Sequence, residues 1–118
     1  MGRPVAMFEI VSAQPARAKE FYAGLFEWSM DEDPEWGGYA LVDTASDEPS
    51  IPGGIGPSMA VGDTGVKFYV RVDDLHAYLE RAERLGGQRL VEPTGLPGGF
   101  GTFAVLADPD GNQVGLWA

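Results

Sequence analysis

Shifted by about 60 residues, the chain aligns with itself. Phe8-Glu9-Ile10-Val11 falls on Phe68-Tyr69-Val70-Arg71, and the run Pro15 to Leu25 falls on Leu75 to Leu85. In 118 residues a period of this length leaves room for two copies only. Two copies argue for a paired domain, since a solenoid needs about three or more repeats to bury its faces. Module one is expected over about residues 5–60 and module two over about 65–118, within one domain spanning 1–118.

Each copy opens as a strand, with apolar residues alternating at Phe8 and Ile10 and at Phe68, Val70 and Val72. A helix follows. Ser12 or Gln14 before Pro15, and Asp73 or Asp74 before Leu75, are suitable N-terminal caps, and proline suits a first helical turn. The spacing of Ala18, Phe21, Tyr22 and Leu25, and of Leu75, Tyr78, Leu79, Ala82 and Leu85, predicts the buried stripes. Gly86-Gly87 stops the second helix. Three short strands fit the rest of each copy: around Trp28, Tyr39 to Asp43 and Gly53 to Ser58, then Gln88 to Val91, Thr102 to Ala107 and Gln113 to Trp117. Asp108-Pro109-Asp110-Gly111 reads as a type I turn joining the last two.

The segments "AKEFYAGLFEW", "FYVRVDDLHAYLERAERLGG" and "FAVLADPDGNQVGLW" together resemble the vicinal oxygen chelate superfamily, the glyoxalase, bleomycin-resistance and extradiol-dioxygenase group. The resemblance spans residues 5 to 118. It implies an α+β fold in which two tandem βαβββ modules form curled mixed sheets around a cleft, commonly within a homodimer.

Composition narrows the partners. Eight basic against eighteen acidic residues give a net charge of −10, which repels phosphate backbones and anionic membranes. Neither nucleic acid nor a membrane is an expected partner; a small-molecule ligand and a second copy of the chain are. Cysteine is absent, so no disulfide or thiolate zinc site is available. No apolar run approaches the ~20 residues of a membrane span and no signal-peptide core opens the chain, so a cytoplasmic location is expected.

Side chains alternate across a strand, so parity sorts them. Even positions Phe8, Ile10, Phe68, Val70, Val72, Val114 and Leu116 are all apolar, as befits a face packed under helices. Odd positions Met7, Glu9, Val11, Lys67, Tyr69, Arg71, Gln113, Gly115 and Trp117 mix charge, hydroxyl and aromatic groups. That mixture fits either a ligand-lining cleft or a solvated outer face.

Metal-using members of the superfamily hold one divalent ion with His and Glu side chains. Carried over by the matched motifs, the ligand positions fall on Met7, its repeat mate Lys67, and Gly115. Subtracting 60 from Gly115 gives Ile55 as the fourth. A thioether, an ammonium, a hydrogen and a branched alkyl group do not form a shell for a hard or borderline divalent ion. No metal and no other cofactor is therefore expected. The single histidine, His76, falls near the start of the second helix as a surface residue.

Other motifs are weaker. Asp108-x-Asp110-Gly111 lacks the later positions of a calcium loop, and the glycine runs at 53–56 and 98–101 match no phosphate-binding pattern. No Ser-His-Asp or Cys-His set can be assembled. Glu9 and Lys67 share the odd-parity face of strands that the superfamily places side by side. They are either a structural ion pair or acid–base and ligand-binding groups. Tyr69, Tyr39 and Trp117 are candidate stacking walls, whereas Trp28 reads as core. Trp36, in the acidic run Asp31-Glu32-Asp33-Pro34-Glu35-Trp36, is a candidate for stacking on a flat ligand. The resulting expectation is a metal-independent small-molecule binding protein, similar to bleomycin-resistance proteins, that sequesters a cationic or aromatic ligand such as an antibiotic. The alternative is a lyase-, isomerase- or dioxygenase-type enzyme with a divergent site.

Overall fold

Both copies of the repeat fold as βαβββ modules in a computed structural model that describes residues 2–58 and 64–118. The expected end of module one near residue 60 lies outside the described residues. Module one contains β1 (Val5–Ser12), α1 (Pro15–Phe26), β2 (Ser29–Glu32), β3 (Ala40–Asp43) and β4 (Gly53–Pro57). Module two contains β5 (Gly65–Arg71), α2 (Leu75–Arg84), β6 (Gln88–Gly95), β7 (Thr102–Ala107) and β8 (Gln113–Trp117). Two compact units follow these modules closely: Met7–Val66, and Lys67–Ala118 together with the segment up to Ala6. The α+β class and the duplicated βαβββ order agree with the sequence reading.

Module one has strand order β2-β3-β4-β1. Its first and last strands run parallel, with Phe8 opposite Gly53, Glu9 opposite Gly54 and Ile10 opposite Ile55. The β2–β3 and β3–β4 pairs are antiparallel. Module two repeats this as β6-β7-β8-β5, with β5 parallel to β8 through Tyr69–Gly115, Val70–Leu116 and Arg71–Trp117. A parallel pair needs a crossover connection, and in each module the helix opens it.

The helices differ in how they begin. Asp74 caps α2, its carboxylate accepting from the Ala77 N–H at 3.1 Å. Gln14 precedes α1 without a side-chain cap, and its N–H instead donates to Ser12 Oγ at 3.0 Å. At the last hairpin, Gly111 N–H donates to the Asp108 carbonyl at 2.9 Å, closing the expected turn. Asp108 Oδ1 also accepts from the Asp110 and Asn112 N–H groups, each at 2.9 Å.

Parity sorts the core as expected, with one exception. Ile10, Val42 and Ile55 form the buried centre of module one, flanked by Phe8, Ala18, Tyr22, Trp28 and Met30. Val72, Leu75, Leu79, Ala104 and Leu116 do the same in module two, with Val70, Tyr78 and Leu106. Phe68 departs from the pattern and stays exposed. Trp28 is core, stacking on Tyr22 with ring centroids 5.6 Å apart and meeting Phe8 at 5.3 Å.

Two stripes are corrected. Phe21 (60% exposed) and Leu25 (58%) do not join the core, and α1 has no fully buried residue. Trp28 packs against Tyr22 and Phe8, while Phe21 meets Tyr22 edge-on with centroids 5.2 Å apart on the outer side of the helix. Leu85 is 77% exposed because α2 ends at Arg84. β6 runs on to Gly95, beyond the expected Val91, through register shifts around Val91 that accommodate Pro93. The acidic run is also less loop-like than expected. Asp31 and Glu32 lie in β2, Glu32 pairs with Lys19, and Asp33 caps a short 3-10 turn over Pro34–Trp36. Among the described residues, no helix is long and apolar enough to cross a membrane.

Candidate functional site

Each sheet turns one face to its helix, leaving a second, helix-averted face that carries the polar and aromatic odd-parity residues. In module one this face is built on β1 and β4. Met7 and Glu9 are half-buried on β1, and Gly54 stands opposite Glu9 on β4. Tyr39 precedes β3, held by a turn in which its N–H donates to the Trp36 carbonyl at 3.2 Å. From there its ring lies across β4. Any side chain at Gly54 or Gly56 would overlap the Tyr39 ring or hydroxyl. The hydroxyl donates to Glu9 Oε2 at 2.7 Å, a normal O–H···O length. Glycine at 54 and 56 is thus required by the close approach of an aromatic side chain to the strand.

Module two builds the same kind of face by another route. Tyr69, only 6% exposed, lies on β5 opposite Gly115 of β8, and a side chain at 115 would overlap its ring. Two residues before it, Lys67 is half-buried on the same face. Two residues after it, the Arg71 guanidinium lies 4.3 Å from the centroid of the Trp117 ring. Trp117 Nε1 in turn donates to the Phe100 carbonyl at 2.7 Å. Phe100 belongs to a loop closed by the Leu96 N–H bonding to the Gly101 carbonyl at 2.8 Å. Gly101 has φ of +94°, and a Cβ there would meet Trp117 Nε1 at 3.1 Å. The loop and the indole are fitted to each other.

One site position is overturned. Ile55 does not lie on this face: it is fully buried in the helix-side core opposite Ile10. The offset of 60 that relates Glu9 to Tyr69 becomes 61 in the last strand, because Gly54 opposes Glu9 as Gly115 opposes Tyr69. A single-residue slip reverses the face of every side chain in a strand. Gly54 therefore holds the position assigned to Ile55.

With Gly54 in place of Ile55, the positions carried over from the superfamily resemblance are Met7 and Gly54 in module one and Lys67 and Gly115 in module two. Two lack side chains and are roofed by tyrosine rings, one is a thioether and one an ammonium. Among the described residues no three His, Asp or Glu side chains come together as a metal shell. This donor set does not fit a divalent ion. His76 is exposed in the first turn of α2. Trp36 is half-buried, and its carbonyl accepts from the Tyr39 N–H.

Sequence reasoning missed Arg71 as a site residue, the Phe100 carbonyl, and the pair Gly54 and Gly56. Arg71 carried a signal, since it shares odd parity with Tyr69 and register with Trp117. Gly54 and Gly56 carried one too, as alternating glycines on a strand whose neighbour opens with a tyrosine.

A tandem βαβββ pair with these averted faces defines a glyoxalase-type domain, and the chain belongs to the glyoxalase-like domain family, which matches residues 7–117. Relatives include the anthracycline biosynthesis protein DnrV of Streptomyces peucetius, 31% identical over 129 aligned positions. That alignment covers 95% of this chain and 46% of DnrV. CFP32 of Mycobacterium tuberculosis, provisionally named a glyoxylase, is 28% identical over 92% of this chain and 43% of its own length. The chain thus spans less than half the length of these two relatives. A glyoxylase-like domain-containing protein of Didymella fabae is 29% identical, over 92% of this chain and 88% of that protein. The fold is shared with methylmalonyl-CoA epimerase from Mycobacterium tuberculosis at a TM-score of 0.64 and 15% identity, over 96% and 85% of the two chains. It is shared equally with a glyoxalase/bleomycin resistance protein/dioxygenase superfamily member from Vibrio splendidus, at a TM-score of 0.63 and 12% identity over 98% and 97%.

Proposed function

We propose that this protein binds a small aromatic or cationic molecule without a metal, sequestering or carrying it in the cytoplasm as a homodimer. The observation that carries this reading is the aromatic roofing of Gly54 and Gly115 by Tyr39 and Tyr69. At Gly54 the half-buried Tyr39 ring offers aromatic surface, which favours flat apolar or cationic groups. The net charge of −10 adds a long-range attraction for cations. The relationship to an anthracycline biosynthesis protein supports polycyclic aromatic natural products as the first ligands to try. Exposed Phe21, Leu25 and Phe26 on α1 supply apolar surface for a second copy.

Elemental analysis of protein purified without chelators, combined with thermal-shift screening of aromatic antibiotics and metabolites, tests the reading. Less than 0.1 equivalent of divalent metal and a saturable upward shift with a flat aromatic are expected. A stoichiometric divalent ion would overturn it.

The Tyr39–Glu9 hydrogen bond favours a second reading, a lyase-, isomerase- or dioxygenase-type enzyme in which Glu9, or on the face of module two Lys67, exchanges a proton with substrate. Under that reading, Glu9→Gln or Lys67→Met removes turnover of a substrate while leaving its binding measurable.

A further inference from the structure

Arg71 is a cation held over an aromatic ring, as Arg81 is over Tyr78 at 5.3 Å. Eighteen carboxylate side chains are available, and Arg3, Lys19 and Arg89 all pair with acidic partners. Among the described residues the Arg71 guanidinium has no carboxylate or carbonyl partner; its contact is the Trp117 ring at 4.3 Å. We propose that Arg71, stacked on Trp117, is a recognition site for a ligand carboxylate on the helix-averted face of module two. The proposal rests on the reading of that face as ligand-binding and deepens it by naming a group the ligand carries.

The geometry supports this in three ways. At 4.3 Å from the ring centroid the guanidinium keeps its N–H donors free of any acceptor among the described residues, and that planar fork matches a carboxylate two bonds at a time. The platform beneath is fixed: the indole is tied to the Phe100 carbonyl at 2.7 Å, and Trp117 is paired in register with both Arg71 and Phe103. A held side chain loses less rotamer freedom on binding, which favours affinity. Finally, Tyr69 lies two residues along the same face, about 7 Å by strand rise. A carboxylate on Arg71 would thus bring an attached aromatic ring to the exposed edge of Tyr69, a residue otherwise buried at 6% exposure. Lys67, about 13 Å from Arg71 along the strand by the same rise, gives the face a second positive charge.

The acidic surface makes the test sharp. With a net charge of −10 the protein repels anions in general, so a preference for an acid over its neutral isostere must arise locally. We would titrate the full chain with 2-naphthoate, 2-naphthamide and 2-naphthyl phosphate, following the Trp117 Nε1–H and Arg71 Nε–H resonances by NMR. The acid is expected to bind at least tenfold more tightly than the amide and to move both resonances. Arg71→Gln should remove that preference, bringing the acid and the amide to within twofold of each other. If Arg71→Gln does not fold, Trp117→Phe, which weakens the platform but keeps a ring, should reduce the preference instead. Equal binding of acid and amide, or a preference that survives these substitutions, overturns the carboxylate site and leaves the aromatic-binding reading standing. Tighter binding of the phosphate ester than of the acid also overturns it, by assigning the site to a phosphorylated ligand. No binding of any of the three overturns both readings.

Discussion

The hydroxyl of Tyr39 donates to the carboxylate of Glu9 at 2.7 Å, across the strand that carries Gly54. The bond ties a loop residue to the centre of the averted face in module one and keeps the ring flat over two glycines. In module two the position equivalent to Glu9 is itself a tyrosine, Tyr69, and it roofs Gly115 directly. Two halves of a duplicated chain have arrived at one surface from different strands.

Removing the bond should be felt in stability and in binding. Tyr39→Phe keeps the roof and deletes the donor, so it should lower unfolding free energy by roughly 0.5–1.5 kcal/mol. Urea denaturation measures this. Tyr39→Ala should lose more and should weaken flat aromatic ligands relative to Tyr39→Phe; equal affinities in the two variants would contradict the stacking role.

Gly115 and Tyr69 should behave as a coupled pair. Gly115→Ala forces a methyl into the Tyr69 ring and is expected to destabilise by roughly 1–3 kcal/mol. Adding Tyr69→Ala should make room, so the double variant should be more stable than the sum of the single losses predicts. Additive losses in a double-mutant cycle would mean that the ring does not cover Gly115.

The register of β4 can be tested at two adjacent residues. Ile55→Ala should cost roughly 2–5 kcal/mol, because the side chain is fully buried, and should leave ligand affinity unchanged in the folded fraction. Gly54→Ala should perturb ligand binding as well as stability, since it displaces Tyr39. Ligand effects at 55 and none at 54 would reverse the assignment of faces.

The C-terminal hairpin carries a titratable element. Hydrogen bonds from the Asn112 side chain, then from the Asn112, Asp110 and Gly111 N–H groups, hold the Asp108 carboxyl below its ordinary pKa. A folded-state pKa below the unfolded value contributes stability above the unfolded pKa, about 3.9, and loses it as pH falls through the folded value. Asp108→Ala should therefore melt below the wild type at pH 7, and the gap should close as pH drops below about 4. A gap that is constant with pH would assign the effect to turn geometry alone.

Much of this architecture was legible because it rests on local periodicity. The repeat, the strand alternation at Phe8–Ile10 and Phe68–Val72, and the Asp-Pro-Asp-Gly turn are short-range signals, and they gave the modules their correct order. The site was legible by parity and failed by counting. An offset that holds from Glu9 to Tyr69 fails by one residue between Gly54 and Gly115, and nothing within β4 alone marks the slip. Ile55 was misplaced for that reason. Phe21 and Leu25 follow a helical stripe faithfully, yet the side chains that α1 turns to the sheet are Ala18 and Tyr22, and spacing alone does not say which part of a wide stripe is covered. Arg71 was visible as a face residue, but its stack on Trp117 depends on the pairing of two strands more than forty residues apart in the chain.

The roofing of Gly115 also bears on how this sequence can change. An acidic side chain at Gly115 would collide with the Tyr69 ring, and one at Gly54 with Tyr39. Either substitution needs a compensating change at the ring before it can be tolerated, so the two glycine–tyrosine pairs are expected to vary together rather than one residue at a time.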